Sequence, residues 1–481
     1  MRLPHVLVAS LRRPDPRRSR ARALQGVVCG VVGALLAGAA AAGDDLTLYR
    51  KALLFDADME ERFLHEGQLS PKLRLPTPDR PFVSYNMPDN AYMTGLYCAS
   101  QCWRYALTGD PHAKELARAA SRALNHLQTV TGRPGLLARA AVPIDRPWLD
   151  DGVWHPSPDG RFRWRGDVSS DQVDGVMFGY YVYFTTVATE AEEPRIADHV
   201  GALVGAIVEA GLRIVDVDGN VTTWGHYYPE YVRRREPMNA LLMLQMLKVA
   251  AFITGERRFE AEYRRLIETE GYAEIAERAR ALGPPERVNH SDDVLIMIAL
   301  YPLLELEREP AIRTHYLKAA ERWFHGSVEF PGVAPEANPL ATFFYHHWTG
   351  KAGQEEPAIR TLRLMPLDMK WNRPTIDRYA ERFGFEFDPA PASPPPTPGA
   401  PAPIDRREKT WSFLVQNPYR AAGERHEDSG MEYQGLDYTL SYWFGAAHGM
   451  IPEDARLRTP ADAKRARSGD DPEAAPSRPQ P

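Results

Sequence analysis

The 481-residue chain has only three cysteines, which excludes a disulfide-stapled scaffold. It also lacks a basic excess: 58 Lys and Arg stand against 64 Asp and Glu, a net charge of −6. Seven of those arginines fall in the first 43 residues beside a single acid, so the rest carries 51 basic and 63 acidic residues, a net charge of −12. A surface this acidic repels phosphate backbones, and nucleic acid is excluded as a partner. No glycine-rich phosphate loop and no zinc-ligand spacing occurs, so neither a cofactor nor a metal is expected. The longest apolar run, residues 27–42, falls short of the roughly 20 residues of a membrane span. What is present is 44% hydrophobic and 25% charged residues, enough to bury a large core and too apolar for a disordered chain.

Arg12, Arg13, Arg17, Arg18, Arg20 and Arg22 precede the apolar run, which ends in Ala39-Ala40-Ala41-Ala42-Gly43. A basic stretch, a short apolar stretch and small residues make a secretory signal, read here over 1–43. The protein is then exported, to the periplasm or beyond, with no stable membrane insertion once the signal is cleaved; an uncleaved anchor is the alternative. Cys29 stands at the front of the apolar run rather than after it, which excludes lipidation. Cys98 and Cys102 share a face of a predicted helix, in a geometry poorly suited to a disulfide, and are expected as buried thiols.

From about residue 45 to 368 the apolar spacing is helical, broken by polar loops. An aromatic-rich helix, a tight turn and a more charged helix recur at 91–107 and 112–129, 173–189 and 195–215, 238–253 and 258–269, 294–306 and 311–324, and 340–348 and 355–364. A sixth pair needs 436–448 as its apolar helix and 46–64 as its partner. Repeated αα-hairpins form either an open solenoid or a closed ring. The long loops between units favour the ring, so the fold class is all-α, an (α/α)6 toroid with a small β-hairpin around Asp218-Gly219. The organisation expected is a toroid body over 44–387, a proline-rich extended linker over 388–404 that loops outside the ring, a completing segment over 405–451, and a disordered tail over 452–481.

Polar clusters recur at the starts of the apolar helices: Asp89-Asn90; Asp167, Ser169, Ser170, Asp171 and Asp174; Glu236 and Asn239; Asn289-His290-Ser291-Asp292-Asp293; Asn338; and Asp437. In a ring of hairpins these starts meet at one end. Helix capping accounts for one residue per cluster, as at Asn338 and Asp437, but not for paired carboxylates in a first turn. Trp154-His155, Phe162-Arg163-Trp164 and the run Trp224 to Glu230 bring aromatics to the same end, where they suit the apolar faces of sugar rings. Glycoside hydrolysis needs one protonated and one ionised carboxyl group. Asp89, Asp174 and Asp292 are the expected catalytic set. Asn90, Asp171, Trp164, His226, Tyr228, Glu230, Asn239, His290 and Asp293 are the expected substrate-binding set, for an oligo- or polysaccharide. Asp171 and Asp174, three apart, share a helix face, whereas Asp292 and Asp293 point apart.

The stretches Asp89-Asn90-x-x-x-Thr94-Gly95-x-Tyr97, Gly166-Asp167-x-Ser169-Ser170-Asp171-x-x-Asp174-Gly175 and Asn289-His290-Ser291-Asp292-Asp293 resemble a group of secreted bacterial α/α-toroid proteins, over about residues 85–450 apart from the linker. That resemblance implies the fold but names no reaction. More distantly, the architecture is similar to six-hairpin glycosidases. In the unsaturated glucuronyl hydrolases of that class two aspartates at inner-helix starts act, and Asp89 and Asp174 stand in comparable places, although the surrounding residues depart from that pattern. This similarity implies hydration of an unsaturated uronic acid. Two alternatives stay open: a polysaccharide lyase using Tyr228, His226, Arg163 and Arg165, and a glycan-binding or envelope protein without catalysis.

Overall fold

The computed structural model describes residues 46–146, 152–387, 393–420 and 426–459. The stretch read as a signal, the first part of the proline-rich segment and the chain beyond 459 lie outside the described residues. Twelve helices build the ring. They are α1 (Leu48–Asp58), α2 (Asn90–Thr108), α3 (Pro111–Thr129), α4 (Ser170–Thr186), α5 (Glu193–Glu209), α6 (Met238–Thr254), α7 (Arg257–Glu268), α8 (Ser291–Leu306), α9 (Pro310–His325), α10 (Pro339–Thr349), α11 (Glu355–Leu364) and α12 (Leu436–Ala447). Each even-numbered helix packs on the next, and α12 packs back on α2, so the inner layer closes. The odd-numbered helices lie outside it, with α1 covering α12 as the sixth pair. The fold is the (α/α)6 toroid that the hairpin repeat predicts.

Three inner helices stop in the same way. Thr108-Gly109, Thr254-Gly255 and Thr349-Gly350 put glycine in the left-handed region, with φ of 68°, 69° and 67°. Each glycine N–H donates to the carbonyl four residues back. Each threonine hydroxyl donates to a carbonyl four residues back, at 2.7 Å in all three turns, and accepts from the amide two residues on. The turn thereby closes the helix and aims the chain into the outer helix. Inner helices are buried on nearly every side, as in α6 and α8, whereas α7 buries only Phe259, Tyr263 and Leu266.

Aromatic side chains from five inner helices fill the middle of the ring. Trp103 lies 4.7 Å from Phe444, Phe344 lies 4.2 Å from Phe444, and Tyr301 stacks on Phe344 at 5.2 Å. Phe178 of α4 joins Trp103 at 6.0 Å. Trp103, Tyr301 and Phe444 sit in the C-terminal halves of their helices and Phe178 and Phe344 at the midpoints, so the ring is plugged from its middle toward this end and the other end is left for a cavity. Cys98 and Cys102 are buried free thiols, as expected, and the Cys98 thiol donates to the Ala117 carbonyl at 3.4 Å.

The inner helices approach most closely where α2 meets α4. A methyl group at Gly95 would sit 2.0 Å from the Gly175 carbonyl oxygen, and one at Gly179 would sit 2.7 Å from Cα of Gly95. Only glycine allows this backbone contact.

Among the described residues, four small antiparallel sheets decorate the rim. Lys72–Arg74 pairs with both Ser84–Asn86 and Met431–Tyr433, so the chain ahead of α2 is tied to the chain ahead of α12. Phe162–Arg165 lies between Ala141–Pro143 and Trp154–Pro156. Arg213–Val215 pairs with Val221–His226 around the Asp-Gly turn, so the helix predicted to run to 215 ends at Glu209 instead. Gly211, at φ 67°, turns the chain out of it.

Two expectations need correction. The described part of the proline-rich stretch is not solvated throughout: Pro394, Pro395, Thr397, Pro398 and Gly399 are exposed as expected, but Ala402 and Ile404 are buried, Ala402 N–H donates to the Pro418 carbonyl at 2.8 Å, and Ser393 N–H donates to Asp405 at 2.7 Å. Nor is the described start of the tail irregular. Glu453–Leu457 forms a helical turn against α1, with acids at its N-terminus and Arg456 at its end.

Replacing Gly95 by alanine drives a methyl group into the α4 backbone. The expected result is a loss of stability of about 1–3 kcal/mol or more, read as a lower denaturant midpoint with unchanged m-value. Gly109→Ala, where a methyl group meets open space, loses less.

Candidate active site

Opposite the aromatic plug, a cavity of about 500 Å³ opens among the starts of α2, α4, α6 and α8. Its polar lining comprises Asp89 ahead of α2, Arg139 from the loop after α3, Ser169, Ser170 and Asp171 at the start of α4, Glu236 and Asn239 at α6, and Asn289, Ser291 and Asp292 at α8. Tyr92, Tyr231, Trp224 and Trp411 supply aromatic wall. Four of the six predicted clusters therefore meet. The other two serve structure. Asn338 caps α10 by accepting from Ala341 N–H at 3.2 Å. Asp437 is buried and accepts from Lys370 Nζ at 2.8 Å and from Phe413 N–H at 2.7 Å.

Gln172 organises the first pair of acids. Its Oε1 accepts from the Tyr92 amide at 3.1 Å, which fixes the orientation of the side-chain amide. Its Nε2 then donates to Asp89 Oδ1 at 3.1 Å and to Asp171 Oδ2 at 3.4 Å. Ser169 donates to the other oxygen of Asp171. Arg139 lies 3.5 Å from Asp89 and is also held by the carbonyls of Asp167, at 2.7 Å, and Pro88, at 3.1 Å. Burial, with the charge of Asp171 next, pushes Asp89 up to about 6 against the pull of Arg139.

On the far wall, Asn289 donates to Asp292 at 2.7 Å. Burial, then the charges of Glu236, Asp293 and Asp171, pushes Asp292 up to about 7. Glu236 is itself raised by burial. Asp171 is thus the carboxylate whose charge bears on acids to both sides of it.

Trp224 stands 58% exposed at the cavity edge on the Val221–His226 strand. The hairpin is pinned there by Asp167, which takes a left-handed φ of 52° and accepts from the Thr223 amide at 2.8 Å, while its own amide donates to Asp216 at 2.7 Å. Trp411 comes from the segment after the proline-rich stretch. Lys370 Nζ donates to the Thr410 and Trp411 carbonyls at 3.1 and 3.2 Å while paired with Asp437. Asn417 and Arg420 fasten the same segment to carbonyls at Pro285, Val288 and Glu286. The segment crosses the rim and closes one side of the cavity.

The sequence-predicted residues divide accordingly. Asp89, Asp171, Asn239 and Asp292 reach the cavity. Asp174 does not: it is wholly buried one turn deeper on α4, with neither carboxylate oxygen hydrogen-bonded. Burial and the charge of Asp171 raise it well above the usual carboxylate range, and Asp171 is the acid of α4 that reaches the cavity. Asn90 is buried and donates to Ser70 at 3.3 Å. Trp164 is buried on the middle strand of its sheet, 4.6 Å from the His155 ring. His226 packs on Tyr231 at 4.9 Å, Tyr228 lies under Arg213 at 4.0 Å, and Glu230 is exposed on the Pro229–Arg234 helix; none of the three lines the cavity. His290 and Asp293 turn away from it into a buried cluster with Glu336. Arg139, Tyr231 and Trp411 line the cavity without any sequence signal, since each stands outside the helix-start clusters.

No family model and no curated protein matches the chain. Two solved structures are similar in architecture. A sugar epimerase from a ruminal bacterium aligns over 83% of this chain and 98% of its own, with 8% identity and a TM-score of 0.41. An unsaturated glucuronyl hydrolase specific for heparin aligns over 58% of this chain and 84% of its own, with 15% identity and a TM-score of 0.26. Both have the six-hairpin glycosidase type of fold.

Asp89 and Asp292 hold their protons far above the 3.8 of an unfolded aspartate. Between about pH 4 and 7 the folded state therefore binds more protons than the unfolded chain, and stability falls as pH rises through that window. Asp292→Asn removes its share of this loss. The variant is expected to melt higher than the parent at pH 8 and to show a shallower decline of melting temperature from pH 4 to 7.

Proposed function

We propose that the protein is a carbohydrate-active enzyme, a glycoside hydrolase, with this cavity as its active site. The supporting observation is the convergence of Asp89, Asp171, Glu236 and Asp292 on one aromatic-walled cavity in which burial and neighbouring charge push Asp89 up to about 6 and Asp292 up to about 7. The roles follow from position. Asp292 gives its proton to the glycosidic oxygen as the bond from that oxygen to the anomeric carbon breaks. Asp171, in the first turn of α4, takes a proton from the water whose oxygen bonds to that carbon. Water is added across the bond and no other reactant is consumed. Asp89 holds Asp171 through Gln172 and buffers its charge. Trp224 and Trp411 offer faces for sugar rings, and Asn239 and Asn289 offer amides for hydroxyls.

The charge of the cavity favours a neutral sugar or an amino sugar. Arg139 is the one cation in its lining among the described residues, and Asp89 and two carbonyls already occupy it. A uronate would face four acids with no unpaired cation to offset them. This reading departs from the uronic-acid chemistry that the resemblance implies. It also favours hydrolysis over elimination, because a lyase must neutralise a substrate carboxylate, and His226, Tyr228, Arg163 and Arg165 stand outside the lining. Export through the 1–43 segment belongs to the proposal, since an exported enzyme meets polysaccharide.

Incubating the protein with a panel of neutral, amino-sugar and uronate polysaccharides and weighing the products tests this. The expected products carry one added water per cut. Asp171→Asn and Asp292→Asn each lower turnover by about 10²-fold or more with the helical CD signal retained. Activity of the parent falls as pH rises through about 7, where Asp292 loses its proton. Full turnover by Asp171→Asn, or products lacking the added water, overturns the reading.

A further inference from the structure

Behind the cavity wall, Asp293 points away from Asp292 into the interior, toward His290 on the same turn and Glu336 in the loop before α10. All three are buried, with 2%, 2% and 6% of their surface exposed for His290, Asp293 and Glu336. His290 Nε2 lies 3.2 Å from the Pro285 carbonyl, which can only accept, so Nε2 carries the hydrogen. Nδ1 then turns its lone pair to the two carboxylates, 3.1 Å from Glu336 Oε1 and 3.5 Å from Asp293 Oδ2. Neither contact is aligned as a hydrogen bond: Nδ1 and Glu336 Oε1 are both buried without a hydrogen-bond partner. The three ligand-type atoms lie within 4.8 Å of one another, the one such trio among the described residues.

We propose that His290, Asp293 and Glu336 bind a divalent transition-metal ion, zinc being the best fit. Ligands about 2.1 Å from a tetrahedral ion are about 3.4 Å apart, and the two separations at Nδ1 bracket that value. One imidazole nitrogen with two carboxylate oxygens suits zinc rather than calcium or magnesium, which take more oxygens. The outer partners are in place as well. The Pro285 carbonyl fixes the imidazole tautomer, and Arg280 grips Asp293 through both oxygens, Nε to Oδ1 at 2.6 Å and Nη2 to Oδ2 at 3.3 Å, which orients the carboxylate with Oδ2 on the histidine side and its second lone pair for the ion. The spacing of 290, 293 and 336 matches no zinc signature, which is why the chain reads as metal-free in sequence. The ion ties the first turn of α8, which carries Asp292, to the loop that starts α10. This site does not depend on the hydrolase reading.

The competing occupant of the same space is a proton on Nδ1. The test is to strip the full chain with a chelator, load it with zinc, remove excess by dialysis and measure metal content. One equivalent of zinc per chain is expected, with a melting temperature several degrees above that of the stripped protein. Cobalt loading should give a visible ligand-field band. Glu336→Gln and His290→Ala should bind less than a tenth as much metal and show no zinc-dependent shift. Zinc should be lost in mild acid as the imidazole protonates. If loaded parent protein retains no zinc and its melting temperature is unmoved, the occupant is the proton and the proposal fails, whether or not the variants fold. Equal zinc in the parent and both variants also overturns it. Neither outcome depends on hydrolytic activity.

Discussion

Three glycines set the geometry on which the candidate site depends. Gly95 on α2 meets Gly175 and Gly179 on α4 with their backbones in contact, closer than any side chain permits. Because the two helices run side by side from the same rim, this contact also brings their first turns together. Gln172 can then bridge from the second helix to Asp89 on the first while its own amide is held by Tyr92. A wider spacing would put a side chain between the helices and separate the two acids. The glycines of the Thr94-Gly95 and Asp174-Gly175 stretches thus act on the site through helix packing and not by touching a ligand.

Crowding carboxylates at one rim has an energetic consequence. Each acid that is buried near another resists ionisation, so the folded state gives up stability as the solution approaches neutrality. The surrounding structure holds them in place. The aromatic plug at the opposite end packs five inner helices against one another, and Lys370 and Asp437 anchor the segment that carries Trp411. Such a division, with apolar packing at one end and strained electrostatics at the other, is what a binding or catalytic cavity on a rigid scaffold requires.

The architecture was legible because its signals are local. Apolar spacing marks the inner helices, and three Thr-Gly stops mark their ends. Pairing of the first and last helices follows once five hairpins need a sixth. The site was legible only to the level of the cluster. Asp171 and Asp174 share a helix face, and periodicity cannot tell which turn reaches the rim. That depends on the helix starting at Ser170, which leaves Asp171 at the surface of the cavity and Asp174 a turn below it. Trp164 reads like the aromatics that line the cavity, but its strand turns it inward. Arg139 and Trp411 sit in segments with no periodicity and reach the cavity only because other elements hold those segments.

By itself the sequence determined the hairpin repeat, the burial of every second helix and the gathering of acids at helix starts, since these depend on residues within a few positions of one another. Tertiary structure alone decided which acids share a cavity, which are sealed beneath it and which histidine faces two carboxylates in the interior. Those outcomes are set by contacts between residues tens to hundreds of positions apart, where a shift of one helical turn reverses which side chain meets solvent.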